Sequence, residues 1–366
     1  MVSRHDRVAQ LLADERAGQW PEGDGYLYHF TRFETLPWLL GRDGRLRLRP
    51  SKFSDMNDPW EAANRSMDRT TRRTNELLEQ RSPPWRVMPE HIREGRLAPY
   101  RRGRQARQLR KTAPRRLAYL REARREWATV CLSQDGPRGK AWAHDAMWSH
   151  YAGRASGICL VFHRARLLEQ AHAAVDAASP MHSRGSAWRA LVPVPRLVAG
   201  DVAYIPSHSL AQSRRNALEA LLALDLQHAQ SFSDTFLAFK YDESMPSVLA
   251  AKIEQRYREH DRACAALLRS LCATKATGWE YEREFRLIMY SRDVNGLSAA
   301  PPDAEIAAGS ALAAVVVGPA SSAQRAAFWL ERLLLDSSVR VVWRYEGNAE
   351  LYPVGALDGA ELVLRI

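Results

Sequence analysis

The sequence predicts an α+β fold with one core domain and large helical insertions. Short apolar or alternating segments, which are typical of strands, recur along the chain, and a strand–helix–strand unit follows at 312–343. Long polar stretches with helical spacing separate these segments. No internal repeat and no low-complexity linker divides the chain. We therefore expect one core domain rather than several.

The expected organisation is an N-terminal helix within residues 1–22 and a single α+β domain over residues 23–366. Val8, Leu11 and Leu12 recur at helical intervals and indicate the first helix. The domain is expected to carry a basic helical insertion at 62–126 and a helical insertion at 206–275.

Runs of apolar or alternating residues predict strands at 26–31, 45–49, 127–133, 157–162, 285–290, 312–317 and 339–343. Helices are predicted at 33–40 and 141–152. The region 164–276 is predicted to be mostly helical, interrupted by a short extended piece at 202–205. Ser321 and Gln324 have the spacing of a capping box for the last helix.

Composition favours an ordinary globular protein, with 46% hydrophobic and 26% charged residues. No apolar stretch approaches the roughly 18 to 20 residues that span a bilayer, and the charged N-terminus lacks a secretory signal, so we expect a cytosolic protein. The cysteines form neither a CxxC nor a Cys/His ligand pattern. We expect no metal site and four reduced, mostly buried thiols, at Cys131, Cys159, Cys264 and Cys272.

The net charge of +11 is concentrated in one stretch of the chain. Between His91 and Trp127 there are thirteen basic and three acidic residues, an excess of ten positive charges. Such a stretch can neutralise the phosphates of a nucleic acid, and the candidate contacts are Arg101, Arg102, Arg104 and Arg107. The alternative is a solvated helix face, because aromatic residues are sparse there.

The block Trp279 to Arg286 carries the strongest functional signal. Interpreted as the entry to a strand, it places Glu280, Glu282, Glu284 and Arg286 on one face, because side chains alternate across the pleat. Carboxylates two residues apart on a strand lie about 6.5 to 7 Å from each other and raise each other's pKa. The block is either one wall of an active site or an exposed edge with Arg286 as a surface ion-pair partner.

Three further segments have unusual composition for their setting. His29 and Thr31 end an early strand and face the same side, although a lone strand histidine is often structural. Trp148 and Tyr151 share a helix face, which suits either core packing or stacking on a planar ligand. The loop after the second strand is either a tight turn or the holder of a phosphorylated ligand, through Arg49, Ser51, Asn57 and Glu61.

Five loose motifs follow one another along the chain: 28–31; 51–53 with 57–61; 132–133 with 147–151 and 157–158; Lys275 with Trp279, Glu282, Glu284 and Arg286; and 315–319. In this order they resemble bacterial domain-of-unknown-function family 2971, over most of residues 26–335. The Arg-rich stretch 93–125 and the helical region 206–270 are elaborations that the resemblance does not cover.

The pattern is in turn similar, more distantly, to ADP-ribosyltransferases, with an early His and Thr, an Arg-bearing second element and a late Glu-x-Glu entering a strand. This resemblance implies a mixed-sheet core of that kind, NAD as the substrate, and cleavage of the bond between nicotinamide and ribose. That cleavage generates an oxocarbenium-like centre, which a fixed carboxylate stabilises.

The resemblance also implies a division of roles. Glu284 would stabilise the developing charge and Glu282 would polarise the nucleophile. The NAD would be held by His29 and Thr31, with Arg47 or Arg49 at the pyrophosphate and Tyr151 or Trp148 stacked on nicotinamide.

The ADP-ribose would pass to a protein or nucleic-acid acceptor, or to water in an NAD glycohydrolase, and the protein would act as a toxin or defence effector. Two non-catalytic alternatives stay open. One is a nucleotide sensor without turnover, and the other is a nucleic-acid-binding protein that uses residues 93–125.

Overall fold

The computed structural model describes residues 25–56, 119–178, 194–224, 255, 261–298, 304–333, 339–344 and 351–353, with gaps of one or two residues inside several of these ranges. The predicted N-terminal helix and most of the predicted insertion at 62–126 lie outside the described residues. None of the described helices is long and apolar enough to cross a membrane.

The strands, in chain order, are β1 (Tyr26–Thr31), β2 (Arg47–Leu48), β3 (Ser51–Lys52), β4 (Ala128–Gln134), β5 (Ile158–His163), β6 (Val194–Asp201), β7 (Ala203–Ile205), β8 (Thr274–Ala276), β9 (Glu284–Asp293), β10 (Gly296–Ser298), β11 (Ile306–Ala307), β12 (Leu312–Val317), β13 (Arg340–Arg344) and β14 (Leu351–Pro353). The main sheet has the order β10–β9–β4–β1–β5–β12–β13–β14, with β3 paired to β4 and β6 paired to β9. Its neighbouring strands are antiparallel except for β12 and β13, which are parallel. The sheet is therefore mixed, as predicted.

The helices are α1 (Leu36–Leu39), α2 (Asp145–Tyr151), α3 (Arg164–Ala177) and α4 (Ala323–Arg332), and 3-10 turns at Phe33–Thr35 and Ala141–Ala143 precede α1 and α2. Helical residues also occur at 207–214, 216–218 and 264–272. The class is thus mixed α and β, with helices on both faces of a largely antiparallel sheet.

Apolar side chains divide into three clusters because strand side chains alternate between the two faces of the sheet. One face packs against α1, α3 and α4, through residues such as Leu36, Leu167 and Leu330. The opposite face is covered in two separate places. There, α2 covers β1, β5 and β12, while the helical residues near Leu221 and Leu268 cover β9.

Most predicted strands are confirmed, with ends that differ by up to three residues. The predicted alternation at 45–49 is also confirmed, because Leu46 and Leu48 are buried while Arg45 and Arg49 are exposed. The strand is shorter than expected, since the ladder with β11 includes Arg47 and Leu48 alone in its register.

The prediction of a mostly helical region at 164–276 is wrong for residues 194–201, which form β6. A proline and a glycine, Pro195 and Gly200, lie inside this strand and made it difficult to recognise from the sequence. A proline is tolerated at a sheet edge, and among the described strands β6 pairs with β9 alone. Residues 274–276 form a further strand, β8, which pairs with β7.

The predicted capping box of the last helix is also wrong. The backbone N–H of Arg325 donates to Ser322 Oγ at 3.3 Å, so Ser322 caps α4. Ser321 Oγ instead donates to the carbonyl of Gly157 at 3.2 Å and ties the turn before α4 to the start of β5.

Candidate active site

A cleft of about 280 Å³ lies where β1 and β4 separate. The two strands pair at Leu27 with Gln134 and at Tyr28 with Ser133. Beyond this point β1 stays paired to β5 as far as Thr31, and β4 stays paired to β9 as far as Ala128. Since each strand remains attached to its outer neighbour, the sheet opens between them, and residues of both strands line the opening.

Five consecutive residues of β4, 129–133, line the cleft, and three of them are small and polar: Thr129, Cys131 and Ser133. The three share one face because they are two residues apart on the strand. Cys131 lies opposite Arg286 in the ladder with β9, and Ser133 lies opposite Glu284. This polar strip lies between the apolar cluster under α2 and the cluster on β9.

The block from Trp279 to Arg286 is not a continuous strand, which corrects the prediction. Residues Thr277–Glu282 form a 3-10 helix, and Arg283 follows with left-handed backbone angles, φ 43° and ψ 54°. The ladder between β9 and β4 begins only at Glu284, so the preceding residues have no strand partner in it. The four residues predicted to share a face therefore separate: Glu280 is exposed, while Glu282 and Glu284 are buried and line the cleft.

Glu284 is held by two cations. Its Oε1 accepts from Arg286 Nε at 2.7 Å, and its Oε2 accepts from Arg286 Nη2 at 2.9 Å and from Lys275 Nζ at 3.4 Å. Burial alone raises the pKa of Glu284, but the charge and hydrogen bonds of Arg286, together with Lys275, outweigh it and lower the pKa to about 2. Glu284 is therefore an anion at every physiological pH.

The pKa of Glu282 is shifted in the opposite direction. Its Oε1 accepts from the Tyr151 hydroxyl at 2.5 Å, and its Oε2 accepts from Lys275 Nζ at 2.6 Å. Burial nevertheless raises the pKa of Glu282 above its usual value, against the opposing effects of Lys275 and Tyr151. Two neighbouring carboxylates thus differ in how readily they take up a proton.

Lys275 connects the two carboxylates from β8, and its side chain is only 6% exposed. Its ammonium group also lies 4.9 Å from the ring centroid of Trp279, a cation–π contact at the wall of the cleft. Sequence reasoning quoted Lys275 without assigning it a role. Lys275 belongs to a motif of the family resemblance, but its contacts could not be predicted, because β8 was predicted as part of a helical region.

His29 crosses the opening between the strands. Its Nδ1 lies 3.4 Å from the carbonyl oxygen of Cys131, within reach of a hydrogen bond from the ring to the backbone. Burial lowers the pKa of His29 below its usual value, and the carbonyl only partly offsets this effect. The imidazole is therefore neutral at pH 7.

The predicted thiols are confirmed, since all four cysteines are free and three of them are buried. Cys131 is the partly exposed one and lies in the cleft. Its thiol hydrogen-bonds to Glu284 and helps to lower the pKa of that carboxyl. The sequence did not identify Cys131, Thr129 or Ser133 as site residues, because it does not show where the pairing of β4 with β1 ends.

The structure brings six of the predicted site residues to the cleft: His29, Arg49, Ser51, Tyr151, Glu282 and Glu284. Thr31 is buried at the end of β1 and is not among the lining residues. Arg47 pairs with Asp43 at 3.0 Å and with Glu305 at 3.4 Å, away from the lining.

Trp148 is a core residue, 1% exposed. Its ring meets Phe30 edge-on, and its Nε1 donates to the carbonyl of Trp142 at 2.6 Å. Of the two residues predicted to stack on nicotinamide, Tyr151 lines the cleft and Trp148 does not. Asn57, Arg101, Arg102, Arg104 and Arg107 lie outside the described residues.

Aromatic rings continue outward from the wall of the cleft. Tyr281 lies 6.1 Å from Trp279, stacks on His144 at 5.6 Å and lies 6.2 Å from His150, measured between ring centroids. The 3-10 helix that carries Glu282 is thus fixed to α2 by ring contacts as well as by Tyr151.

Comparison with protein-family models gives a match to part of the chain. Residues 147–287 match the model of a family described as "Protein of unknown function (DUF2971)". No curated protein and no solved structure matches the chain significantly. The matched segment includes Tyr151, Lys275, Glu282 and Glu284 and is shorter than the predicted resemblance over residues 26–335. Over residues 147–287 the chain is similar to the DUF2971 family, and that segment carries the charged wall of the cleft.

Proposed function

We propose that the cleft is an active site and that the protein consumes NAD by cleaving the bond between nicotinamide and ribose. The ADP-ribose would pass to a protein or nucleic-acid acceptor, or to water. What supports the proposal most is the pair Glu282 and Glu284, which line one cleft with pKa values displaced in opposite directions. Two carboxylates whose environments separate their pKa values are the usual arrangement for splitting acid–base and electrostatic roles.

The permanent anion is Glu284. In the proposed reaction the C1′–N bond breaks, nicotinamide leaves with the bonding electrons, and positive charge develops on the ribose. Glu284 would stabilise that charge. Because Arg286 and Lys275 fix its position, the carboxylate does not have to reorganise when the charge develops.

The proton acceptor is Glu282. The nucleophile's oxygen attacks C1′, and its proton passes to the Glu282 carboxylate, which later returns it to solvent. A raised pKa makes Glu282 a stronger base than an ordinary glutamate. Tyr151 and Lys275 hold both of its oxygens and so direct its remaining lone pairs.

The remaining cleft residues suit the binding of a nucleotide. Tyr151 and Trp279 provide ring surfaces near the carboxylates, and His29 provides a neutral imidazole between the strands. Arg49 lies at the other end of the lining beside Ser51. The volume of about 280 Å³ is close to the lower limit of small-molecule sites, so the cleft would enclose part of an extended dinucleotide rather than all of it.

The test compares Glu282→Gln with Glu280→Gln. Glu280 belongs to the same 3-10 helix but is exposed and outside the cleft lining, which makes it a matched control. Incubation with NAD, followed by mass spectrometry of free nicotinamide and of modified acceptors, should show release by the wild type and Glu280→Gln and a loss of at least 100-fold in Glu282→Gln. NAD binding without any nicotinamide release would instead support a nucleotide sensor and contradict catalysis.

We propose nucleic-acid binding as a second function. It rests on the excess of ten positive charges between His91 and Trp127. If this stretch contacts phosphates, log Kd should depend steeply on log salt concentration. Replacing Arg101, Arg102, Arg104 and Arg107 with Gln should flatten that slope. An unchanged slope would instead indicate a solvated helix face.

A further inference from the structure

Thr129 presents a buried hydroxyl group in the cleft. The residue is 2% exposed and belongs to the cleft lining. Among the residues that the structure describes, none forms a hydrogen bond with its Oγ1. Buried hydroxyl groups in proteins nearly always have a partner, either another protein group or an ordered molecule, and at a cleft a bound ligand can be that partner.

A second hydroxyl lies next to it. Ser51 is directly opposite Thr129 in the ladder between β3 and β4. Residues opposite each other on antiparallel strands place their side chains on the same face. Ser51 is exposed and also lines the cleft, so the two residues give this end of the cleft one hydroxyl on its floor and one on its rim.

The charged side chains around this hydroxyl pair already have partners. Arg49 Nε lies 2.8 Å from Glu305 Oε1, and Lys52 Nζ lies 2.6 Å from Glu126 Oε2. Asp55, which also lines the cleft, accepts from Ser54 Oγ at 2.9 Å. A phosphate would need uncompensated positive charge here. Hydroxyl groups and a carboxylate instead suit a neutral ligand group with hydroxyls of its own.

The distance between the hydroxyl pair and the two carboxylates indicates which part of the ligand the pair would bind. Thr129 is four residues from Ser133 on β4, and Ser133 lies opposite Glu284. Four residues of a strand span about 13 Å. The hydroxyl pair is therefore too far away to hold the ribose that reacts at Glu282 and Glu284, and it suits a second sugar of the same ligand.

The geometry points to a sugar-binding subsite in which Thr129 and Ser51 hydrogen-bond the hydroxyls of the adenosine ribose of NAD. This subsite rests on the proposed function for the identity of its ligand. Thr129 is its specificity-determining residue, because its hydroxyl is buried and can be satisfied by a ligand that reaches the floor of the cleft.

The experiment compares Thr129→Val with Thr129→Ser. Valine keeps the shape and removes the hydroxyl, whereas serine keeps the hydroxyl. Dissociation constants are measured for ADP-ribose, and KM and kcat for NAD and for its analogue that lacks both hydroxyls on the adenosine ribose. The wild type should prefer NAD to the analogue by about tenfold in KM. Thr129→Val should raise KM for NAD three- to tenfold, abolish the preference and leave kcat unchanged, whereas Thr129→Ser should retain the preference.

The melting temperature separates this role from a structural one. Because its hydroxyl has no partner in the described protein, Thr129→Val should melt at or above the wild-type temperature. Thr274→Val is the matched control. The Thr274 hydroxyl is bonded to Ser270 and Arg214, so its loss should lower the melting temperature and leave the preference for NAD over the analogue intact.

Each remaining outcome has a distinct meaning. If NAD is cleaved but Thr129→Val keeps both KM and the preference, the subsite is overturned while the proposed function stands. If NAD is not cleaved but ADP-ribose binding weakens in Thr129→Val and not in Thr129→Ser, the subsite stands and the proposed function falls. If the wild type binds neither NAD nor ADP-ribose, both are overturned.

Discussion

The buried guanidinium of Arg286 donates two hydrogen bonds to the carboxylate of Glu284, from Nε to Oε1 at 2.7 Å and from Nη2 to Oε2 at 2.9 Å. Arg286 also donates to the carbonyl oxygen of Cys272. The pair therefore connects the floor of the cleft to the backbone just before β8. Its loss should affect folding as well as chemistry.

Glu284→Gln should reduce the free energy of unfolding by about 3–5 kcal/mol, because it leaves a buried guanidinium without its counter-ion. Removing both partners in Glu284→Gln with Arg286→Met should recover most of that loss, while activity stays absent. Urea unfolding of the three proteins measures the difference. If Glu284→Gln were as stable as the wild type, the ion pair would not have the structural role assigned to it.

Acid should weaken the fold through Glu284. Its pKa is about 2 in the folded protein and about 4.3 in an unfolded chain, so its ionised form is favoured by folding. The resulting stabilisation is complete above the unfolded pKa and is lost as the pH falls from about 4.3 to about 2. It amounts to about 3 kcal/mol. Urea unfolding at several pH values should show this loss in the wild type and a smaller one in the Glu284→Gln, Arg286→Met double variant.

Tyr151→Phe should move the acidic limb of the pH–rate profile upward. The phenol stabilises the ionised form of Glu282, so its removal raises the Glu282 pKa further and moves the limb to higher pH. The measurement is kcat/KM between pH 4 and 8. Tyr281→Phe is the control, because the ring contacts of Tyr281 do not require its hydroxyl. A limb that stays in place in Tyr151→Phe would show that Glu282 does not control it.

Gly157→Ala should destabilise the fold at the end of β1. A Cβ at this position would lie 2.3 Å from the carbonyl oxygen of Thr31 and 3.0 Å from that of Ala152, and neither backbone atom can move easily. We expect a loss of about 1–3 kcal/mol in thermal or urea unfolding. Gly278→Ala is the matched change, since a Cβ there meets no atom within 4 Å. Similar stabilities for the two variants would contradict the close approach at Gly157.

The sheet could be predicted from the sequence where burial is complete on both faces. In β5 and β12 an uninterrupted apolar run is sufficient, and both strands begin and end within one residue of the prediction. The edge strand β6 could not be recognised in this way, because an edge tolerates Pro195 and does not require a continuous apolar run.

The site could be predicted only in part. Alternation correctly placed Glu284 and Arg286 on one face, since both belong to β9. It failed for Glu280 and Glu282, because the sequence does not show where the ladder with β4 begins. The contacts of Lys275, and the lack of a hydrogen bond between the Thr129 hydroxyl and any described residue, depend on how distant segments pack together, so no local pattern reveals them.

The separation of β1 from β4 also affects how the protein can change over evolution. Past the pair Tyr28 and Ser133, main-chain atoms of the two strands border the cleft, as the carbonyl of Cys131 does when it faces the His29 ring. Every amino acid carries the same peptide groups, so contacts made through them persist when the side chains are replaced. Two relatives could therefore bind one ligand at this seam with few residues in common, and sequence identity would underestimate their kinship.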